Sequence, residues 1–397
     1  MIVQVRAARP QIMMDGKDWY GELAPYLVSM TYEDNCDGKK ADDLNIELAD
    51  RDGKFIADWM PKKGAYLDAG IITERWFAPY GSDLSLDCGR FWIDSVEFSL
   101  PARKVSVKAT SLPTGVRLKA SKEHRGWENT SLKDIANQIA TENHMSLDWQ
   151  AQTNPRYRRT EQHDESPLAF LMHKAKDAKL AIKIHRNKIV IFDEQKLEEA
   201  EPKFTLLYGD ASPDGGMSVF RMAGASFSTK IADSTKKAKV SHTDPETGDV
   251  KSGEHTAEDD DGEGDEGDTE DETDDKVNTD PDSEDEPTGI SVEPDPIPQM
   301  KTPQPRDEPG SVRDYNKDQT SAGSSLNAKA HVRDKNKDKN TAKIELSLGN
   351  PLIAAGMTIN VKGCGQFDGK WFVESAHHSV GPEYKTELSI RRCLKGY

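Results

Sequence analysis

The chain has 397 residues, room for two or three ordinary domains, and a formal net charge of −17 from 53 Lys+Arg against 70 Asp+Glu. One segment carries that imbalance: Glu258–Glu286 holds 18 acidic residues and one lysine, leaving 52 acids and 52 bases elsewhere. A neutral body excludes a dedicated nucleic-acid binder, which needs a basic patch to release counterions from phosphates, and no apolar run is long enough for a transmembrane helix.

The opening MIVQVRAARPQIMMDG carries charge within its first ten residues and reads as a strand rather than a secretory signal. Strand texture continues to about residue 112. Leu44, Ile46 and Leu48 alternate in DLNIELAD, as do Phe91, Ile93 and Val96, then Val105 and Val107. Turn signals recur at Asp15-Gly16, Asp37-Gly38 and Asp52-Gly53, which predicts a small barrel or sandwich.

Helical periodicity begins after Thr130. Leu132, Ile135, Ala136, Ile139 and Ala140 share one face, with Thr130 or Ser131 as the cap. Ser166-Pro167 opens a second helix with Leu168, Leu171, Ala175 and Ala178 on its apolar face. A hairpin follows: Ile182 and Ile184 alternate, the chain turns near Arg186-Asn187, and Ile189 and Ile191 alternate again. Residues 113–203 therefore form a compact α+β module.

Strands resume over 204–240 and stop. Residues 241–325 are rich in Gly, Pro, Ser, Thr, Asp and Glu, and cannot bury enough apolar surface to offset their ordering entropy. A helix is expected over 320–338, then four strands in AKIELSL, GMTINVKG, KWFVESAHHSV and KTELSIRR. Residues 204–240 and 326–397 thus make one β-domain, interrupted by an acidic insertion at 241–325. The strands on either side of the insertion are expected to share a sheet.

Candidate chemistry is sparse. His377-His378 sits in a strand, one side chain in and one out. His163-Asp164-Glu165 has no serine or cysteine nucleophile nearby to complete a site. GCGQFDG (363–369) has the wrong last spacing and the wrong context for a dinucleotide fingerprint, and reads as a glycine turn between strands. Asp259, Asp261, Glu263, Gly264, Asp265 and Glu270 match positions of a calcium loop, but no amphipathic helix flanks them, so diffuse cation binding is favoured over a specific site. Asn129-Thr130-Ser131 matches a glycosylation acceptor, without meaning in a chain read as non-secreted. Cys36, Cys88, Cys364 and Cys393 lie far apart with no CxxC pair, which excludes a disulfide scaffold or zinc ribbon. No catalytic residue, metal or cofactor is expected. Gly349, Asn350, Pro351 and Gly356 of GNPLIAAG are expected to form a strand-to-strand connection.

Three stretches resemble the late control protein D family, the baseplate hub proteins of contractile-tailed phages and related injection particles. They are RGWENTSLKDIANQIATENHMSL (125–147), RTEQHDESPLAFLMHKAKDAKLAIKIHRNKIVIF (159–192) and LSLGNPLIAAGMTINVKGCGQFDGKWFVESAHHSVGPEYKTELSIRR (346–392). The resemblance implies a mainly β fold with α+β: two tube-like β-barrel domains (1–112, and 204–240 with 326–397) flank the module. It also implies a homotrimeric ring adapting a six-fold tail tube to a three-fold central spike, in a virion baseplate assembled from protein made in the host bacterial cytoplasm. Partners on this view are the tube or tube-initiator protein, the spike, and the tape measure and baseplate wedge proteins, with no membrane and no specific nucleic acid. The family leaves the long acidic insertion unexplained. A tail-tip cell-wall hydrolase and an acidic cation-binding or DNA-mimicking module are the competing classes.

Overall fold

The computed structural model describes residues 6–36, 40–77, 83–113, 117–209, 218–230, 237–243, 250–256, 310–313, 333 and 336–393. The first domain comprises β1 (Ala7–Met14), β2 (Lys17–Asp18), the short helix α1 (Tyr20–Leu23), β3 (Leu27–Asn35), β4 (Asp43–Ala49), β5 (Tyr66–Glu74), β6 (Leu84–Ser99) and β7 (Lys104–Thr110). The strands pair antiparallel in the order β3-β4-β7-β6-β5-β1-β2. Alternation sets the inner face: Leu44, Ile46 and Leu48 of β4 are buried while Asn45 and Glu47 are more exposed. Asp15 and Gly16, at φ +50° and +78°, supply the left-handed pair that a tight β1–β2 hairpin requires. A register shift between Ile93 and Ser95 bends β6 around a core that includes Met30, Ile71, Phe91 and Val105.

The module follows: α2 (Arg117–Ala120), β8 (Glu123–Ser131), α3 (Leu132–Glu142), β9 (Ser146–Trp149), β10 (Arg156–Glu165), α4 (Pro167–Asp177), β11 (Leu180–His185), β12 (Lys188–Asp193) and α5 (Glu194–Glu199). Ser131 caps α3 in a reciprocal capping box with Asp134, and all five periodic apolar residues of that helix are buried. Ser166 caps α4 through a bond from Ala169 N, with Pro167 in the first turn. Phe170 and Leu171 carry most of its buried face, whereas Leu168 is half-exposed. Arg186 and Asn187, at φ +48° and +61°, close the β11–β12 hairpin. β9 adds to β12 in parallel, which completes a three-stranded sheet under the helices.

The second domain contains β13 (Phe204–Leu207), β14 (Ser218–Thr229), β15 (Lys237–Thr243), β16 (Val250–Thr256), β17 (Gly310–Arg313), β18 (Asn340–Leu346), β19 (Thr358–Lys362), β20 (Gly369–Val380) and β21 (Tyr384–Arg392). β13, β14, β18, β21, β20 and β19 pair in that order, and β19 pairs back onto β13, which closes a six-stranded barrel. β14 and β18 flank the insertion and are hydrogen-bonded neighbours, so the chain leaves and re-enters one sheet. Strand structure extends further than alternation predicts. β15 pairs with β16 antiparallel and with β17 in parallel, a separate three-stranded sheet drawn partly from the insertion. Of the helix expected over 320–338, Arg333 and Asn336 are described and helical.

The domains are continuous through β20. Its first half pairs with β19, its second half (Ser375–Val380) pairs with β3, and β21 runs along nearly its whole length. Val380 and Tyr384 reach beyond the second barrel and join the core of the first domain. β1 returns close to β20, which brings the curled first sheet round on itself.

Gly349 lies where this junction is tightest. A Cβ there would stand 2.5 Å from Tyr384 Cγ and 2.6 Å from its carbonyl oxygen. Gly349→Ala should therefore destabilise the protein by about 1–3 kcal/mol through overpacking. Urea unfolding checks this, and an unchanged midpoint would contradict the tight packing.

Candidate functional site

The described residues concentrate their unusual chemistry where the two β-domains and the module meet. The connection from β18 to β19 crosses this point. Asn350 is fully buried; its backbone N–H donates to Thr386 Oγ1 at 2.9 Å, and its side-chain oxygen accepts from Leu352 N at 2.9 Å, a local turn that orders the proline segment. Thr386 Oγ1 lies 3.2 Å from His378 Nδ1, which is 2.9 Å from the Tyr384 hydroxyl. Burial pushes His378 down to about 4, so it sits as a neutral imidazole at neutral pH. Trp76 Nε1, just past β5, donates to the Gly349 carbonyl at 2.5 Å. Gly356 has φ +85°, and a Cβ on it would lie 3.0 Å from Cys36 Sγ.

Two buried charge groups fasten the module to this junction. In the first, Lys183 of β11 bonds to Asp34 of β3 and lies 3.5 Å from Asp42, just before β4. Asp34 also accepts from Ala355 N at 2.8 Å, so one carboxylate ties β3, the module and the β18–β19 connection together. Burial pushes Asp42 up to about 7, with Lys183 opposing and Asp34 adding to the rise. Burial also works against the Lys183 charge, but the two carboxylates outweigh it and hold its pKa above the ordinary range.

In the second group, Arg391 of β21 meets Glu194 at 2.9 Å, Glu374 at 3.1 Å and the Glu198 carboxylate, while its guanidinium lies 4.7 Å from the Phe372 ring centre. Arg333, from the return of the insertion, reaches Glu194 at 3.1 Å and bonds to Glu198. Burial alone would raise Glu194, but Arg391, Arg333 and Lys337 hold it down to about 2. The lid over this cluster is α5, whose Leu197 packs with Phe192, Phe372 and Cys36.

The expected structural residues Gly349, Asn350, Pro351 and Gly356 thus lie together between β18 and β19. Asp259, Asp261, Glu263, Asp265 and Glu270 lie outside the described residues, as does the Asp37-Gly38 turn. His377 is partly exposed and His378 buried, the alternation expected of strand neighbours. The GCGQFDG segment turns between β19 and β20, with Gly363, Gly365 and Gly369 at positive φ. Among the described residues, no three His, Cys, Asp or Glu side chains stand ready to hold a metal. Sequence reading missed the two charge groups. Asp34, Asp42, Lys183, Glu194, Arg333 and Arg391 are scattered along the chain, and nothing in their local pattern signals that they converge.

This architecture, two β-domains sharing a strand beside a small α+β module, is the fold of phage tail proteins. The chain matches the tail protein from Neisseria meningitidis MC58 with a TM-score of 0.62 at 13% identity, over 97% of this chain and 96% of that one. It matches the 43 kDa tail protein of prophage MuSo2 from Shewanella oneidensis with a TM-score of 0.60 at 11% identity, over 97% and 98% of the two chains. By sequence it is similar to proteins named "Probable baseplate hub protein" in Escherichia phages P2 and 186, with 35% and 28% identity over 135 residues. Those matches cover 34% of this chain and 32% of each relative, so the chain spans about a third of the length of the curated relatives it matches. No protein-family profile matches it.

Removing one partner from a buried ion cluster strands the other charges. Arg333→Leu should cost about 3–5 kcal/mol in urea unfolding, and a loss under 1 kcal/mol would show that the cluster tolerates the vacancy. Glu194 has a folded pKa below its unfolded one, so its stabilisation is present above about pH 4.5 and is lost as pH falls towards about 2. That acid-sensitive component should be absent from Glu194→Gln when the two pH–stability curves are compared. Gly356→Val should cost about 1 kcal/mol or more, since φ there is positive, and thermal unfolding reads the loss.

Proposed function

We propose that this protein is a structural baseplate hub of a contractile tail, joining the six-fold tail tube to the three-fold central spike. The observation that carries the reading is β20, which belongs to both β-domains and joins them through continuous backbone pairing. Three copies of a chain with two β-domains present six comparable units to a tube while keeping a three-fold face for a spike. Similarity to named baseplate hub proteins and to solved tail proteins supports this reading. The assembled location is the virion tail baseplate, after synthesis in the host bacterium. Tube or tube-initiator subunits and the spike are its direct partners, and the tape measure and wedge proteins lie nearby.

The buried chemistry favours mechanical joining over catalysis. Asp34, Lys183 and the Glu194–Arg391 cluster are spent on each other, which suits a part that must transmit load between tube and spike without its domains sliding.

A tail-tip reconstruction should contain three copies of the chain, with its β-domains arranged in a pseudo-six-fold ring. Two or six copies would refute the symmetry-adapting role, and a cleared band in a peptidoglycan zymogram of the purified protein would favour a hydrolase instead.

A further inference from the structure

The exposed face of the β8–β10 ribbon carries a group of donors that the hub role does not use. His124 and His163 are directly opposed in the antiparallel register, and both are exposed. Their Nδ1 atoms lie 2.9 Å apart, with the rings at 70° to each other. Side chains alternate on a strand, so Glu161 shares the face of His163, two residues along β10. Directly across from Glu161 stands Gly126, which has no side chain to fill the space. The ladder shifts register between His163 and Glu165, and Asp164 there has φ +53°, a bulge that re-aims the end of the strand.

We propose that His124, His163 and Glu161 form a binding site for a divalent late transition-metal ion, with the two imidazoles as the primary ligands. Metal–imidazole bonds of about 2.0–2.1 Å place two ligands at 90° about 2.9 Å apart, while a tetrahedral angle needs roughly 3.3–3.4 Å. The 2.9 Å contact is a hydrogen bond between the two rings that a metal would replace, and the same spacing fits a square or octahedral edge, the geometry that copper(II) and nickel(II) prefer over zinc. With Glu161 swung towards the two histidines, Glu161-x-His163 on one strand and His124 on its neighbour would supply three donors on one face, leaving the remaining positions to water or to a donor from a neighbouring subunit.

Glu161 is turned onto Arg159, at 2.5 Å, in this structure. Both side chains are more than half exposed, so that ion pair is weak and the carboxylate can swing towards the histidines at little cost. The nearby charges are Arg159, which opposes a cation, and the Lys122–Asp164 pair beside the bulge.

The test is titration of the full chain with copper(II) in excess magnesium, which occupies the diffuse sites of the acidic insertion, read by electron paramagnetic resonance. One tight equivalent with coupling to two nitrogens is expected. His124→Ala and His163→Ala should each bind at least tenfold more weakly and lose the two-nitrogen signature. Glu161→Gln should keep that signature and bind several-fold more weakly. These positions are exposed, so thermal unfolding should be unchanged; His124→Asn and His163→Gln repeat the measurement should either alanine variant melt early. Oxygen-only coordination in the unaltered chain, or histidine variants that bind copper as the unaltered chain does, would overturn the site. Unaltered affinity in Glu161→Gln would overturn the carboxylate as third ligand.

Discussion

Everything in this molecule depends on one strand belonging to two domains. β20 is 12 residues long, and its two halves have different neighbours: β19 on the first half and β3 on the second. A strand cannot slip by one residue without turning its buried side chains outward. Because β20 is constrained twice, a slip in either half would break the pairing of the other. The two β-domains therefore share one register, and their relative position is set by backbone hydrogen bonds rather than by a linker. The cores reflect this: Trp371 and Val373 fill the second barrel, while Val380 and Tyr384 fill the first domain.

A shared strand fixes two domains but leaves the module to be attached by side chains. Beside the apolar packing of Phe192 and Leu197 on Phe372 and Cys36, the attachment here is ionic and buried, which is rarely the most stabilising solution, since desolvation offsets much of the Coulomb gain. Its value is positional. An apolar contact tolerates sliding, whereas Lys183 is held by its bond to Asp34 and its approach to Asp42, which depend on the position of β11. Arg333 adds a second consequence. It brings the returning end of the insertion into the same cluster as α5 and β21, so the point where the insertion re-enters the barrel is anchored before β18 begins.

Local regularity made much of this legible from sequence. The α3 face, its cap at Thr130 or Ser131 (Ser131 in the structure), the Ser166-Pro167 start of α4 and the Arg186-Asn187 hairpin each depend on neighbours within a few residues, and each is present in the structure. The interrupted sheet was also readable, because the composition of the insertion contrasts so sharply with the strands on both sides. What depended on distant residues was not. β13 pairs in parallel with β14 and β19, and no short-range signal specifies a parallel partner. The six-residue α5 carries Glu194 and Glu198, and nothing in its local pattern shows that Arg391 and Arg333 lie beneath them. His124 and His163 are 39 residues apart in the chain, and only the β8–β10 register makes them neighbours.

The placement of the insertion follows from the same logic. A long excursion between two paired strands costs little extra closure entropy, since each doubling of loop length adds only about 0.6 kcal/mol. The price is set instead by where its ends are held. β14 and β18 are adjacent in the closed barrel, joined over Met222–Thr229 and Asn340–Leu346, so the barrel itself brings the ends together. Arg333 then fixes the returning end against α5. Both ends are thus held by structure that exists for other reasons, and β15, β16 and β17 between them pair with one another and not with the barrel strands.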